Sequence, residues 1–238
     1  MEDEFATTVI SIVDEIPSVK TVRLSVPSSF TFKPGMWVLL QFPDRAEKAN
    51  AYSISTSPFE KGSIELSFAN VGPLTHRLAA LRAGDALLLR GPFGKWFYSD
   101  DVRRAVLISD GTGIAPYRSM ARYVLDKTLP TEVTLLCSAK TPDAFIYKAD
   151  LELFAKAGMK VYKTITHKEL MPPGCIWDGP EGTIDIRVIE EEIKDFKNAH
   201  YYLCGPKALV EGLTNDLISR AVARENLHYE KWGDYQWL

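Results

Sequence analysis

The stretch LISDGTGIAPYRSM, residues 107–120, decides the fold. It reads as an apolar strand, a Gly-x-Gly turn and the start of a helix, which is how a phosphate-cradling loop is built. Pro116 stands where the dinucleotide fingerprint Gly-x-Gly-x-x-Gly has its third glycine. The loop also arrives past residue 100 rather than near the start of the chain. The sequence therefore predicts a nucleotide-binding unit with another unit in front of it.

The rhythm of the chain changes where that reading requires. Before residue 100 come short runs rich in Val, Ile, Thr and aromatics: TTVISIV (7–13), KTVRLSV (20–26), MWVLLQF (36–42), AYSIST (51–56), SIELSFA (63–69) and ALLLR (86–90). Turn signals such as Pro34-Gly35, Lys61-Gly62 and Ala83-Gly84-Asp85 separate them. Six short strands at this spacing predict an antiparallel sandwich or barrel. One short helix interrupts them, with Leu74, Leu78 and Leu81 at helical spacing and Pro73 in its first turn. After residue 100, strands and helices alternate. Strands at 104–109, 132–138, 160–165 and 199–205 precede helices near 114–126, 147–157, 186–195 and 206–222, and LHYEKW (227–232) closes the series. Repeated strand–helix units imply a parallel sheet. The expected organisation is an N-terminal antiparallel β-barrel domain, 1–98, and a C-terminal α/β parallel-sheet nucleotide-binding domain, 99–238.

Composition narrows the function. The 238 residues are 46% hydrophobic and 25% charged, an ordinary globular balance. A formal net charge of −3 supplies no general attraction to nucleic acid or anionic lipid. The acidic start, MEDEFATTVI, lacks a signal-peptide pattern, and no apolar run approaches a bilayer span. A cytoplasmic protein with no nucleic-acid partner and no membrane insertion is expected. Cys137, Cys175 and Cys204 are widely spaced and odd in number, which argues against a disulfide framework or a cysteine-held cluster. His76, His167, His200 and His228 show no ligand spacing, so no metal site is expected.

Three helices open on glycine or proline: Gly72-Pro73, Gly111 to Pro116, and Gly205-Pro206. Helix starts offer unpaired N–H groups and the positive end of the dipole, and glycine lets a phosphate approach the backbone. One start in the β-rich half and two in the α/β half suggest two phosphate-bearing ligands. Thr112 adds a hydroxyl to the turn.

With these residues in place, the chain resembles the ferredoxin–NADP reductase superfamily, whose members join a flavin-binding barrel to a pyridine-nucleotide domain. The resemblance covers nearly the whole chain and rests on five features in order. AYSIS resembles the Arg-x-Tyr-Ser flavin motif, and VGPLTHRL the second flavin motif at a helix start. GPFGKW resembles the end of the barrel, DGTGIAP the Gly-Gly-Thr-Gly-x-x-Pro loop, and LCGP the Cys-Gly-Pro before the last helix.

The resemblance implies roles. Tyr52 would lie against the flavin ring, and Ser53 would hydrogen-bond near flavin N5, where hydride arrives. Asn50 and Ala51 would complete that strand, and Gly72 and Thr75 would hold flavin phosphate. Gly111, Thr112 and Gly113 would hold the pyrophosphate of NAD(P)H. Cys204, followed by Gly205 and Pro206, would sit beside the nicotinamide, which makes Ser53 and Cys204 the catalytic candidates. Asn50 departs from the family's arginine, which would neutralise phosphate with a planar fork. Arg45, Lys48 or Arg77 would have to compensate. Asp110 stands where the family often has glycine, so its side chain is expected to point away from the pyrophosphate.

An acidic residue after the second strand of such a fold marks NAD. Here Ser138 and Lys140 occupy that place, a hydroxyl and a cation suited to a 2′-phosphate, so NADPH is favoured over NADH; Lys168 is another candidate contact. The aromatic tail HYEKWGDYQWL offers Trp232 or Trp237 to a flavin ring. The resemblance thus implies a reductase that passes hydride from NAD(P)H to bound FAD, with FMN the less favoured flavin. Electrons would then go to a separate one-electron carrier such as a ferredoxin, a flavodoxin or an oxygenase component. A free-flavin reductase and a non-catalytic electron-transfer subunit are the alternatives.

Overall fold

In the computed structural model, which describes residues 4–232, the chain divides into two compact units. Met1–Tyr98 with Ala115–Thr128 form the first, and Ser99–Ile114 with Leu129–Leu238 the second.

The first unit is built on strands β1 (Glu4–Ile16), β2 (Val19–Ser25), β3 (Trp37–Gln41), β4 (Asn50–Ser53), β5 (Ser63–Ala69) and β6 (Ala86–Phe93). They form one antiparallel sheet in the order β4-β3-β6-β1-β2-β5. Its two ends meet just beyond β4, where Ile54 bridges Leu66 and the Ser55 N–H donates to the Glu65 carbonyl at 2.9 Å. The sheet thereby closes, which removes its free edges. The strand expected over 51–56 therefore starts at Asn50 and stops at Ser53, because the chain turns there to complete the closure. Val22, Leu24, Leu40, Leu66, Leu87 and Leu89 fill the interior with no exposed surface. Helix α1 (Pro73–Ala79) sends Leu74 and Leu78 into this core, with Leu81 packed at its margin.

Helix α2 (Ala115–Asp126) packs within the first unit, although it follows the Gly-Thr-Gly turn directly in sequence. The Ser119 hydroxyl donates to the Thr56 carbonyl at 2.6 Å, and the Arg118 guanidinium pairs with Glu65. Met120 lies close to Gly35, whose φ of +102° and tight surroundings admit only glycine: a Cβ there would come within 2.8 Å of Met120 Cε and 3.0 Å of the Trp96 carbonyl.

The second unit carries a parallel sheet of β7 (Arg104–Asp110), β8 (Glu132–Ala139), β9 (Lys160–Ile165), β10 (His200–Pro206) and β11 (Leu227–Trp232). The order is β11-β10-β7-β8-β9. Helices α3 (Lys148–Lys156), α4 (Ile186–Glu192) and α5 (Lys207–Ser219) connect the strands. The apolar runs of β7 and β10 bury Val106, Ile108, Tyr201 and Leu203 against Ile189 of α4 and Val210 and Leu217 of α5. Asp185 caps α4 by accepting from the Arg187 and Val188 N–H groups. That helix ends three residues before the expected boundary, because Ile193 is extended (φ −110°, ψ 107°).

Strand order makes the chemistry of this sheet local. From β7 the chain proceeds outward through β8 and β9, then returns to place β10 on the other side of β7. Neighbouring connections leave in opposite directions at the carboxyl ends of β7 and β10, and such a switch point opens a crevice for ligands. Asp110-Gly111 and Cys204-Gly205 occupy those two ends. Among the described residues no helix is long and apolar enough to cross a membrane.

Candidate functional site

In the barrel, Asn50, Ala51, Tyr52 and Ser53 constitute β4 and pair with β3, Tyr52 opposite Val38 and Ser53 opposite Trp37. All four are partly exposed. The Tyr52 ring meets Phe68 edge-on at 6.2 Å. Its hydroxyl is buried with no hydrogen-bond partner among the described residues. Burial pushes its pKa up to about 12, offset in part by the Asn50 side chain, which lies near the hydroxyl without meeting hydrogen-bond geometry. A buried hydroxyl without a partner is costly, and a polar ligand atom would satisfy it. On this observation the barrel residues fit a flavin.

The phosphate side is less open than the sequence suggests. Gly72 caps α1 in an extended conformation, with Pro73 in the first turn. The Thr75 hydroxyl is used inside that cap: it accepts from the Val71 and Gly72 N–H groups at 3.0 and 2.8 Å and donates to the Gly72 carbonyl at 2.9 Å. Thr75 thus shapes the turn, and any ligand must be met by the remaining backbone groups. Two of the cations expected to compensate for Asn50 already hold carboxylates. Arg77 binds Asp44 at 2.8 Å and also Glu47, and lies over the Phe42 ring at 3.9 Å. Arg45 pairs with Glu4.

In the second unit, Gly111, Thr112 and Gly113 form a 3-10 turn (Gly111–Ile114) at the end of β7. Gly111 has φ +53°, and a Cβ placed there would meet nothing within 4 Å. This glycine is set by backbone conformation, and the space its missing side chain leaves is open to a ligand. Gly113 and Ile114 are buried beneath the turn. Beside it, Ser109, Gly111, Cys137, Ser138 and Phe145 line a cleft between the ends of β7 and β8. Cys204 is buried, level with Ser109 of β7 and Glu230 of β11. Gly205, at φ +156°, is still paired with Lys231 of β11, and exposed Pro206 ends the strand and leads into α5. The loop, Cys204 and Gly205 are thus gathered at the switch point.

The residues expected to select the nucleotide behave differently. Ser138 is buried, and its hydroxyl donates to Asp110 Oδ1 at 2.8 Å. Asp110 is turned along the sheet toward β8, a pairing that reading each strand alone had missed. Lys140 is exposed at the strand end, and Lys168 is engaged with Glu181 at 2.6 Å. Trp232 ends β11 level with Pro206, while Trp237 lies outside the described residues.

Comparison with known proteins finds a flavin-type and a nucleotide-type domain in the same order along the chain. The oxidoreductase FAD-binding domain family matches residues 7–98, and the oxidoreductase NAD-binding domain family matches residues 107–215. The phenol hydroxylase P5 protein of Acinetobacter pittii is 27% identical over 234 residues, covering 96% of this chain and 65% of that protein. The sulfhydrogenase 1 subunit gamma of Pyrococcus furiosus is 29% identical over 205 residues, covering 83% of this chain and 67% of the relative. The chain thus spans about two thirds of the length of these curated relatives. A solved ferredoxin reductase of carbazole 1,9a-dioxygenase superposes with a TM-score of 0.84 at 22% identity, covering 96% of this chain and 69% of that one. With both domain families matched in order and the two sheets to carry them, the chain belongs to the ferredoxin–NADP reductase-like flavin oxidoreductases.

Proposed function

We propose that the protein is a flavoprotein reductase that takes hydride from a reduced pyridine nucleotide onto FAD and delivers electrons to a separate carrier protein. One observation carries the reading: the open space at Gly111 and the buried Cys204 thiol share the switch point of the parallel sheet, where a dinucleotide's pyrophosphate and reactive ring have to be held. Bound flavin supplies the conversion of a two-electron donor into single electrons.

The chain's own part is binding and orientation. Gly111, Thr112 and Gly113 present backbone N–H groups to pyrophosphate. Cys204, followed by Gly205 and Pro206, limits where the nicotinamide ring can lie, an effect on orientation. Tyr52 offers an apolar face and a buried hydroxyl to the flavin, and Ser53 a hydroxyl near the atom that receives hydride. Asn50 and Ala51 line the strand, and Gly72 and Thr75 shape the turn nearest the flavin phosphate. Trp232 or Trp237 would cover the ring. The names of relatives, a phenol hydroxylase component and a sulfhydrogenase subunit among them, favour an oxygenase component, a ferredoxin or a similar one-electron carrier as acceptor. We place the reaction in the cytoplasm.

The test is anaerobic. The protein reconstituted with FAD is mixed with NADH or NADPH, and the flavin band near 450 nm, roughly where oxidised flavins absorb, is followed. Bleaching by either nucleotide is expected. A protein that neither binds flavin nor bleaches it ends the proposal.

A second reading, release of reduced flavin as product, is favoured by one feature. Asn50 replaces the phosphate-binding arginine, while Arg45 and Arg77 are engaged by carboxylates. FAD that stays with the protein through gel filtration after reduction would rule this reading out.

A further inference from the structure

We infer that Asp110, acting with Ser138, makes the protein an NADH enzyme that rejects NADPH; this rests on the proposed nucleotide site. The side chain at the end of the second strand of a dinucleotide-binding sheet meets the 2′ position of the adenosine ribose. In this sheet that strand is β8, and the side chain is Ser138, which lines the same cleft as Gly111. Ser138 by itself would be a neutral donor fit for a phosphate. It is not by itself, because Asp110 of β7 is its register partner and accepts its hydroxyl proton at 2.8 Å.

The count of donors and acceptors decides the specificity. A carboxylate only accepts, so the Ser138 hydroxyl spends its one proton on Asp110. Ser138, which lines the cleft, then offers it lone pairs alone, with the negative charge of Asp110 held directly behind them. A ribose 2′-OH carries a proton and can donate to either oxygen. A 2′-phosphate at neutral pH is mostly a dianion with acceptors alone, so it finds no donor here and meets a like charge. Lys140, exposed two residues further on, is the opposing force. An exposed cation is screened by water, whereas the Asp110–Ser138 pair is partly buried and screened less. The net result is discrimination against the phosphorylated nucleotide.

Two readouts test this on the FAD-loaded protein. Isothermal titration with NAD+ and with NADP+ measures binding without turnover, and anaerobic flavin reduction by NADH and NADPH measures kcat/KM. Wild type is expected to favour the non-phosphorylated nucleotide at least tenfold in both. Asp110→Asn keeps the shape and removes the charge, and is expected to shrink that ratio at least tenfold, mainly by improving NADP+ binding. Ser138→Ala keeps the carboxylate and is expected to retain the preference. Equal or tighter binding of NADP+ by wild type overturns the inference while leaving a working nucleotide site. An unchanged ratio in Asp110→Asn also overturns it. So does a tenfold loss of NADPH use in Lys140→Ala with NADH use intact, which would put the 2′-phosphate on Lys140. Binding of neither nucleotide overturns the proposed function and this inference together.

Discussion

The Arg118–Glu65 pair gives the sharpest test of how α2 is held. Arg118 sits in the first half of α2 with its side chain 10% exposed, and Glu65 on β5 is 17% exposed. Arg118 also reaches Ser55 Oγ at 3.4 Å, just past the strand that carries Tyr52 and Ser53. Replacing Arg118 by Met keeps the volume and leaves Glu65 without its buried cation. Breaking a buried pair in this way typically costs about 3–5 kcal/mol. Here Glu65 retains Arg23, whose guanidinium lies 3.7 Å from its other oxygen and is more exposed. The expected loss is therefore about 2–3 kcal/mol, or roughly 6–12 °C in Tm for a unit of this size. Urea unfolding followed by tryptophan fluorescence reads it, because Trp96 packs on Tyr117 of the same helix with ring centroids 6.0 Å apart. The companion variant Glu65→Leu with Arg118→Met removes both charges and should recover most of the loss, since an apolar pair of similar volume is often as stable as a buried ion pair. The reasoning is refuted if Arg118→Met costs less than about 0.5 kcal/mol, or if the double variant loses the sum of the two single changes.

Three further outcomes follow from the site and its sheet. Tyr52→Phe removes a buried hydroxyl that has no hydrogen-bond partner among the described residues, so the flavin-free protein should be as stable as wild type or slightly more so. FAD affinity, measured by fluorescence quenching, should weaken about tenfold, the value of one hydrogen bond. Cys204→Ala should slow anaerobic flavin reduction by about one to two orders of magnitude while FAD affinity holds, as expected of a group that positions the ring; an unchanged rate would leave the thiol as packing. His228, stacked on Tyr202 at 4.5 Å, has its pKa pushed down to about 4 by burial and by neighbouring His200, whose own pKa burial also lowers. The unfolded chain takes up that proton near the ordinary value of 6.5 and the folded chain does not. Stability should therefore decline as pH falls from 6.5 to about 4 and level off below, by about 1–2 kcal/mol once solvent screening of a half-exposed ring is allowed for. His228→Phe should flatten that slope in urea titrations at successive pH values.

Much of the architecture was legible because its signals are local. The alternation in KTVRLSV puts Val22 and Leu24 in the barrel core, and Leu74 and Leu78 at helical spacing reach the same core. The apolar runs RAVLIS and AHYYLCG become central strands because a sheet buried on both faces needs no alternation. What escaped is long-range. Nothing near Ile54 announces that it bridges Leu66, so the strand there was expected to run to residue 56. The side chains that tie α2 to the barrel, Arg118 and Ser119, find partners 53 and 63 residues earlier. A helix read from its neighbours in sequence is assigned to the strands that flank it, as the NAD-binding family match over residues 107–215 also assigns it, whereas its contacts group it with the barrel.

The candidate site divides along the same line. Gly111 and the Gly72 cap are backbone features, written into the glycine itself, and each lies at the turn its sequence implies, while Gly205 stays within β10. Side-chain roles depend on which strand lies alongside. Thr75, expected to hold flavin phosphate, is consumed by its own cap; Arg77, a candidate to compensate for Asn50, holds Asp44 and Glu47. Ser138 is the telling example. Read along β8 it is a neutral hydroxyl followed by a cation, the pattern for a phosphate. Read across the sheet it is the donor to a carboxylate 28 residues earlier, so that, on the inference drawn above, a ligand at this strand end meets a negative charge. On that inference, nucleotide preference in this sheet is a property of two adjacent strand ends. Counting residues along β8 alone misses the carboxylate that the end of β7 sets beside it.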